Sequence, residues 1–209
     1  MHGKVEPDET PLVHLASASP RRREILAAIG IAHTWQGVDI DETPLPGEAA
    51  EALAIRLALE KANKSRRMRS SEPVILGADT VVALEGITFG KAGSEEEALF
   101  MLSQLSGRVH RVFTAVALDT PGGKKTAVSR TEVRMREIAR GEALSYWRSG
   151  EPLGKAGAYA IQGIGGVFVE ALSGSYSGVV GLPVFETASL LAQAGIDPLR
   201  RVSTSGGAR

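Results

Sequence analysis

A single carboxylate interrupts an otherwise apolar segment near the middle of the chain. Residues 74–84 read Val-Ile-Leu-Gly-Ala-Asp-Thr-Val-Val-Ala-Leu, and Asp79 is the only charged residue among them. Burying an unpaired carboxylate is unfavourable, so Asp79 requires a cation, a metal ion or backbone donors nearby. The β-branched residues favour a central strand, with a bend or bulge near Gly77 that would expose Asp79. We therefore take Asp79 as a candidate catalytic or metal-binding group; the alternative is a carboxylate that only bonds backbone at a strand end.

A basic turn, Arg21-Arg-Arg23, follows a strand-like run at residues 12–16. Ser19 is a suitable N-cap and a proline follows it, so the pattern predicts a helix over residues 20–29. The arginines then lie in the first turn, where a helix already carries partial positive charge and free backbone N–H groups. Such a cluster is typical of an anion site, with phosphate the natural ligand. The alternative is a solvated basic turn on the surface.

Further charged residues could complete a phosphate site. Asp41 and Glu42 lie in a loop bounded by prolines, and carboxylate oxygens suit Mg²⁺ or Mn²⁺, which keep water ligands and bind phosphates. Lys61, Lys91 and Lys155 each lie beside small residues. Singly, each is typical of a protein surface, but together with the arginines they could neutralise a polyphosphate.

A glycine-rich segment offers groups that can recognise a base. Residues 159–166 read Tyr-Ala-Ile-Gln-Gly-Ile-Gly-Gly, which combines an aromatic ring, the amide of Gln162 and closely approaching backbone. The glycine spacing is not that of a dinucleotide fingerprint, and the chain has no Walker A motif. The four histidines show no metal-ligand spacing, and His14 is expected to be a core residue of a strand.

Alternating strands and helices must position these groups. The apolar periodicity predicts strands at 12–16, 31–40, 74–84, 111–118, 126–138 and 166–170, and helices at 20–29, 49–65, 94–105, 142–148 and 183–194. A turn at Thr120-Pro-Gly-Gly123 predicts a central hairpin. The combination favours an α/β fold with a mixed sheet over a purely doubly wound one.

Composition excludes several classes of function. The 24 basic and 24 acidic residues cancel, so no overall positive field holds a nucleic-acid backbone. Aromatic residues make up 5%, too few for base-stacking platforms. Without cysteine, neither a disulfide framework nor a thiolate zinc site can form. No apolar run approaches the ~20 residues of a membrane span.

The two ends differ from the rest of the chain. Residues 1–10 are polar and have no apolar stretch like that of a signal peptide. We expect a disordered start at 1–10, one domain over 11–196, and a flexible tail at 197–209. A cytoplasmic location is the corresponding expectation.

Eight segments together resemble the Maf family of nucleoside triphosphate pyrophosphatases, also named septum formation inhibitors. No single segment is specific, but their joint order and spacing are, and the resemblance extends over residues 12–195. The segments are Leu15–Arg22, Arg56–Ala62, Gly77–Val82, Gly90–Lys91, Arg111–Val116, Lys155–Gly163, Gly174–Tyr176 and Val179–Pro183.

The resemblance implies an inosine-triphosphatase-like fold, in which a mixed sheet with flanking helices forms two lobes around a central cleft, commonly as a homodimer. It implies hydrolysis of a nucleotide between the α and β phosphates, which yields the monophosphate and pyrophosphate, with a divalent cation, Mg²⁺ or Mn²⁺. Residues 158–163 resemble the branch acting on dTTP and UTP rather than the branch acting on 7-methyl-GTP. A non-enzymatic, nucleotide-sensing inhibitor of septum formation is the competing hypothesis.

The resemblance also implies roles for individual residues. Asp79 matches the proton acceptor. The specificity positions match Arg21, Thr80 and Gln162, and the phosphate and metal site matches Ser17, Arg22, Glu42, Lys61 and Lys91, with Glu42 and Asp79 expected to hold the metal. One departure is Ala92, where a proline commonly follows the lysine, and we expect a looser backbone after Lys91. Arg23 lies outside the matching segments and is expected to be a solvated surface residue.

Overall fold

The computed structural model describes residues 13–70 and 74–199. The predicted disordered start at 1–10 and most of the predicted tail, residues 200–209, lie outside these ranges. Within the described ranges, no helix has both the length and the apolar character needed to cross a lipid bilayer.

Seven strands and six α-helices form the described part of the chain. The strands are β1 (Val13–Leu15), β2 (His33–Trp35), β3 (Ile75–Leu84), β4 (Ile87–Phe89), β5 (Val109–Thr120), β6 (Gly123–Met135) and β7 (Val169–Ser173). The helices are α1 (Pro20–Ala28), α2 (Ala50–Met68), α3 (Glu95–Leu105), α4 (Arg140–Arg148), α5 (Tyr176–Val180) and α6 (Val184–Gln193), with a 3₁₀ helix at Ile164–Phe168.

The strands form one mixed sheet in the order β2-β1-β3-β5-β6-β7, with β4 paired to β3. β1 runs parallel to β2 and β3, whereas β3, β5, β6 and β7 pair antiparallel. The predicted turn joins β5 to β6 as a long hairpin. The predicted mixed α/β sheet is therefore confirmed.

One edge of β3 is split between two partners. β1 pairs with Ile75 and Leu76, and β4 pairs with residues 82–84. Between these pairings, residues 77–81 have no strand partner on this edge within the described chain, whereas the opposite edge pairs continuously with β5. The gap contains Asp79, so the sheet itself opens beside the candidate catalytic residue.

Successive residues of β3 face opposite layers of helices, as strand geometry requires. Ile75 packs in a cluster with Leu57 of α2, and Leu76 packs in another with Leu26 of α1 and residues of α6. A third cluster gathers around the far end of β3, where residues of α3 and α4 pack. The helices therefore cover both faces and form the two expected lobes at opposite ends of β3.

Gly77 lies in regular strand, and the predicted bend or bulge there is wrong. It pairs with Ala117 in an unbroken ladder from Ile75 to Ala83. The glycine is required by packing instead, because a Cβ atom on Gly77 would lie 2.2 Å from the backbone oxygen of Ala58 in α2. The absent side chain lets α2 approach the sheet closely enough to present Lys61 to Asp79.

We expect Gly77→Ala to lower the free energy of unfolding by about 1–3 kcal/mol or more, since overpacking displaces well-packed backbone. Gly141→Ala is the matched control because a Cβ at Gly141, in α4, meets no atom within 4 Å. That change should stabilise the protein, by up to about 1 kcal/mol, through helix propensity. Chemical denaturation of both variants measures the two effects, and equal stabilities would contradict the packing argument.

Two predicted strands differ from the structure. The predicted strand at 31–40 is observed only at His33–Trp35. Its partner β1 is itself only three residues long, because the chain then leaves the sheet and begins α1. The predicted strand at 166–170 is mostly 3₁₀ helix, with β7 beginning at Val169. A Cβ on Gly165 would lie 2.4 Å from the Tyr146 hydroxyl, so this turn depends on glycine.

Candidate active site

A cleft of about 440 Å³ opens at the split edge of β3. The loop between β1 and α1 forms one wall, and the glycine-rich segment after α4 forms another. All nine predicted site residues line it: Ser17, Arg21, Arg22, Glu42, Lys61, Asp79, Thr80, Lys91 and Gln162. The fold thus brings together groups that are up to 145 positions apart in the chain.

Alternating charges form a continuous chain along the floor of the cleft. The Nζ atom of Lys61 lies 2.5 Å from Oδ1 of Asp79 and 2.7 Å from Oε1 of Glu42. The Nζ atom of Lys91 lies 2.5 Å from the other oxygen of Glu42. Asp79 is 5% exposed and Lys61 6%, so the required partner of the buried carboxylate is an ammonium group from α2.

Two opposing effects act on the pKa of the Glu42 carboxyl. Its partial burial acts to raise the pKa, but hydrogen bonds from Lys61 and Lys91 outweigh that effect and hold the pKa below its ordinary value. Glu42 therefore stays ionised across the physiological range. It is the residue that links the two lysines.

Arg22 is buried and bonded almost entirely to protein. Its Nε donates to the backbone oxygen of Gly181 at 2.8 Å, and its Nη1 donates to Ser17 Oγ at 3.2 Å and to Ala78 O at 2.7 Å. The remaining bond runs from Nη2 to Thr80 Oγ1 at 3.3 Å. Burial lowers the pKa of the guanidinium from its ordinary value.

The bond to Ala78 O explains why β3 tolerates its gap. Ala16 N donates to Leu76 O, which is the last such bond from the β1 side, and Arg22 then supplies the next donor along the same edge. Four of the five donors of the guanidinium are used in this way. Arg22 therefore holds the loop after β1, β3 and the end of α5 together. A single N–H of its guanidinium remains for the predicted contact with substrate.

Arg21 and Lys155 form a more accessible cationic wall. Nε of Arg21 is buried without a hydrogen-bond partner among the described residues, and burial lowers the pKa of Arg21. Burial, followed by the charge of Arg21, also lowers the pKa of Lys155. The sequence marks Lys155 only as one of three lysines beside small residues. The structure places it in the cleft with the others.

Arg23 points away from this wall and is not simply solvated, contrary to expectation. Its guanidinium carbon lies 3.9 Å from the ring centroid of Trp35 in β2, a cation–π contact.

The predicted N-cap Ser19 does precede α1, but its side chain makes no capping bond. Ser17 Oγ accepts from the backbone N–H of Ser19 instead, at 3.2 Å.

The loop that carries Gln162 is held from behind by a half-buried carboxylate. Glu151 accepts from the Tyr146 hydroxyl at 2.6 Å and from the backbone N–H groups of Ile164 and Gly165, each at 2.9 Å. Tyr146 in turn accepts from Ala160 N at 3.1 Å. Sequence reasoning missed this support, because nothing local to the Gly-Glu-Pro turn at Glu151 signals contacts with residues more than ten positions later.

Tyr159 is packed into the wall of the cleft, so its aromatic ring is not freely exposed. It is 6% exposed, and its hydroxyl bonds to Nε2 of His110 at 2.8 Å. Burial lowers the pKa of His110 to about 4 and raises that of Tyr159. The pair is therefore neutral at physiological pH.

His14 is fully buried, as expected, and its Nδ1 lies 2.7 Å from the Thr34 hydroxyl.

The backbone after Lys91 is not loose, contrary to the expectation from Ala92. Lys91 forms an antiparallel bridge with Ala156. Ala92 N donates to Lys155 O at 3.2 Å, and Ala92 O accepts from Gly154 N at 2.8 Å. Because Ala92 is also fully buried, packing and hydrogen bonds supply the constraint that a proline ring would otherwise provide.

The carboxylates of Glu42 and Asp79 could hold a divalent cation only as a site with few protein ligands. Within the described ranges, no group of three or more histidine, cysteine, aspartate or glutamate side chains is arranged to hold a metal ion. However, Glu42 and Asp79 converge on one cation, the Lys61 ammonium. Mg²⁺ commonly binds through one or two carboxylates plus waters and substrate phosphates, so two carboxylates suffice for this mode.

Comparisons with known proteins find relatives that extend over most of this chain. A dTTP/UTP pyrophosphatase of Bordetella parapertussis is 48% identical over 90% of this chain and 95% of its own length. Proteins of the same description from Alkalilimnicola ehrlichii and Methylococcus capsulatus are 46% and 47% identical, over 92% and 89% of this chain and 98% and 92% of their own lengths.

Among solved structures, a dITP/XTP pyrophosphatase from Mycobacterium abscessus has a TM-score of 0.41 at 18% identity, covering 59% of this chain and 73% of its own. The Ham1 protein of Staphylococcus aureus has the same TM-score and identity, covering 61% and 72%. Residues 12–194 match the family described as Maf-like protein. With nearly all of the described residues inside that match, the chain belongs to the Maf family.

Proposed function

We propose that this protein hydrolyses dTTP and UTP, together with modified pyrimidine triphosphates, to the monophosphate and pyrophosphate. The relatives described as dTTP/UTP pyrophosphatases support the substrate class. The observation that carries the proposal is the cleft itself, where one buried carboxylate, Asp79, lies within a ring of cationic side chains. This arrangement suits attack of water on a phosphoanhydride.

Asp79 acts as the general base in this proposal. Its carboxylate pairs with the Lys61 ammonium at 2.5 Å, and it lies at the open edge of β3 within the cleft, where the attacking water would bind. Removal of a proton from water as it attacks phosphorus is a typical role for a positioned carboxylate. Lys61 restrains the orientation of that carboxylate.

The cationic groups stabilise the charge that develops on phosphate oxygens. Arg21, Lys61 and Lys91 line the cleft around Asp79, and Arg22 adds one N–H from behind. Because Arg22, Lys61 and Lys91 are already held in place by hydrogen bonds to protein, they need little reorganisation when the transition state forms. Ser17 completes this wall as a hydroxyl donor to phosphate.

We also propose that a divalent cation, Mg²⁺ or Mn²⁺, would be held by Glu42 and Asp79. When bound, such an ion neutralises phosphate charge and lowers the pKa of a coordinated water. Lys61 lies between the two carboxylates and holds their orientation.

The direct test is release of pyrophosphate from dTTP and UTP by the purified chain, with Mg²⁺ and Mn²⁺ compared and a chelator added to one arm. We expect metal-dependent release of pyrophosphate and of the nucleoside monophosphate in equal amounts. Orthophosphate as the product would overturn the assigned bond. Tight binding of dTTP without cleavage would favour the competing hypothesis of a nucleotide-sensing inhibitor of septum formation.

The assignment of base recognition to Gln162 makes its own prediction. We expect Gln162→Glu to lower kcat/KM for dTTP by about tenfold or more, because a carboxylate repels the base carbonyls and loses the amide donors. Gln193→Glu is the control, since Gln193 is exposed on α6, bonds Lys125 and does not line the cleft. Steady-state kinetics on a panel of triphosphates measures both, and an unchanged profile for Gln162→Glu would remove Gln162 from base recognition.

The biological setting is a further part of the proposal. The family resemblance supports a cytoplasmic homodimer that removes unwanted pyrimidine triphosphates from the nucleotide pool, with a role in cell-division arrest and without a nucleic-acid partner. Light scattering after gel filtration would measure the oligomeric state, and a monomer at micromolar concentration would contradict the dimer.

A further inference from the structure

Glu42 lies in a loop that has almost no backbone hydrogen bonds of its own. The loop covers residues 36–49, between β2 and α2, and contains no strand or helix. Within the described chain, no amide of residues 37–47 donates to a backbone oxygen, and a single turn is closed by the bond from Glu48 N to Leu45 O. Side chains therefore decide where the loop places Glu42.

One arginine of α2 bonds to this loop at two points. Nε of Arg56 lies 2.7 Å from Oε1 of Glu48, and its Nη2 lies 2.9 Å from Oε2 of the same carboxylate. Nη2 also donates, at 3.0 Å, to the backbone oxygen of Thr43, the residue directly after Glu42. A bidentate pair fixes direction as well as distance, so it constrains the loop more than an ordinary surface ion pair does.

The other contacts to this half of the loop come from the cleft. Among the described residues, Lys61 and Lys91 are the only further side chains from outside the loop that bond to residues 41–48, and both bond the Glu42 carboxylate. The proposed function assigns these two lysines to phosphate, so a bound nucleotide competes with Glu42 for their ammonium groups. Arg56 does not line the cleft, and a nucleotide does not compete for its contacts.

We propose that Arg56 is a positioning residue for Glu42: it keeps the Glu42 carboxylate close to Asp79 once a nucleotide has engaged the two lysines. This inference rests on the proposed function, in which Glu42 and Asp79 hold the divalent cation. Replacing a group that orients a metal ligand typically lowers metal affinity by about 10- to 100-fold. The contribution of Arg56 should therefore be visible only when the cation is present.

The test measures binding of a dTTP analogue whose α and β phosphorus atoms are joined by an imido group, so that the proposed bond is not cleaved. Isothermal titration calorimetry is performed with Mn²⁺ in one arm and a chelator in the other, and Mn²⁺ should tighten binding to the wild type. Arg56→Lys keeps the charge but loses the bidentate guanidinium. We expect it to weaken binding by about tenfold or more in the Mn²⁺ arm and to leave the chelator arm unchanged.

Arg66→Lys is the matched control on the same helix. Nε of Arg66 lies 3.3 Å from Oδ1 of Asp119, and its Nη2 donates to the backbone oxygen of Asp119 at 2.9 Å. Arg66 thus holds one carboxylate and one carbonyl, as Arg56 does, but neither Arg66 nor its partner lines the cleft. Both arms should match those of the wild type.

A double-mutant cycle shows whether Arg56 acts through Glu42. Glu42→Gln should lose most of the gain in affinity that Mn²⁺ gives, and adding Arg56→Lys to it should then have no further effect. Glu48→Gln breaks the same bidentate contact from the side of the loop. It should weaken the Mn²⁺ arm as Arg56→Lys does, and it decides the question if Arg56→Lys fails to fold.

Thermal unfolding verifies that each variant is folded. Wild-type affinity of folded Arg56→Lys in the Mn²⁺ arm would overturn the inference, because charge alone would then suffice. An equal loss in Arg66→Lys, or effects of Arg56→Lys and Glu42→Gln that simply add, would overturn it as well.

Failure of the proposed function gives a different result. If Mn²⁺ does not tighten binding to the wild type, the proposed metal site is wrong and this inference with it. Absence of pyrophosphate release from dTTP and UTP would overturn the proposed hydrolysis, whereas the binding measurements would still decide whether Arg56 positions Glu42.

Discussion

Asp79→Asn is expected to reduce pyrophosphate release from dTTP by about 10²- to 10⁴-fold, the range that a general base contributes. Asparagine has nearly the shape of aspartate, so the strand and the continuous pairing with β5 should persist. It cannot take a proton from water, and it also removes the charge that Lys61 balances at 2.5 Å. The defect should therefore lie in kcat, with thermal stability changed far less than activity.

Asp119→Asn supplies a control of equal burial. Asp119 is also 5% exposed and pairs with Arg66 at 3.3 Å, but it does not line the cleft. Its replacement should lower stability and leave turnover within about twofold of wild type, since breaking a buried pair acts on folding rather than on the reaction. Wild-type turnover in Asp79→Asn would show that Asp79 is not the base.

Lys61→Ala is expected to lose about 2–4 kcal/mol of transition-state stabilisation, as removal of a preorganised charged donor does. Lys61 is the one residue in the described chain that bonds both Glu42 and Asp79. Without it, two carboxylates share a partly buried space with no ammonium between them, so the floor of the cleft becomes less favourable for a polyanion. Single-turnover kinetics with dTTP measures the loss in the chemical step.

Lys64→Ala is the matched control on the same helix. Lys64 lies three residues later, and its Nζ donates to the backbone oxygen of Asp39, outside the cleft. Its removal should change turnover by about twofold or less, as for an ordinary surface lysine. Because Lys61→Ala leaves a buried carboxylate unpaired, the folded fraction must be measured beside the rate. A loss of about tenfold or less in folded Lys61→Ala would reduce Lys61 to a structural lysine.

Sequence alone was sufficient where the signal is local. Ser94 illustrates this, since it was predicted as the start of a helix and its Oγ accepts from Glu97 N at 3.2 Å at the start of α3. The alternating strands and the turn at residues 120–123 likewise gave the mixed sheet correctly. The grouping of the nine candidate residues followed from the family resemblance rather than from periodicity. Their individual roles stay predictions.

The sequence alone did not predict the role of a residue where that role depends on a contact with a residue distant in the chain. Gly77 looked like a bulge because its requirement is imposed by Ala58 of α2. Glu151 had no visible role because its partners, Tyr146 and the backbone at 164–165, become adjacent only in the folded chain. Arg22 matched a phosphate ligand, and only the structure shows that most of its donors hold β3 and α5.

The alternating ions on the floor of the cleft also bear on how a substrate arrives. The charges of Lys91, Glu42, Lys61 and Asp79 cancel at short range, so they contribute little to the electric field outside the cleft. That field comes chiefly from the opposite wall, where Arg21, Arg22 and Lys155 outnumber the carboxylate of Glu151. On the proposed function, we expect that wall to govern diffusional capture of a triphosphate and the slowing of that capture as ionic strength rises. On the proposed function, we expect the two lysines of the floor to contribute only after the nucleotide has entered, whereas the arginines of the wall contribute both to the encounter and to the reaction.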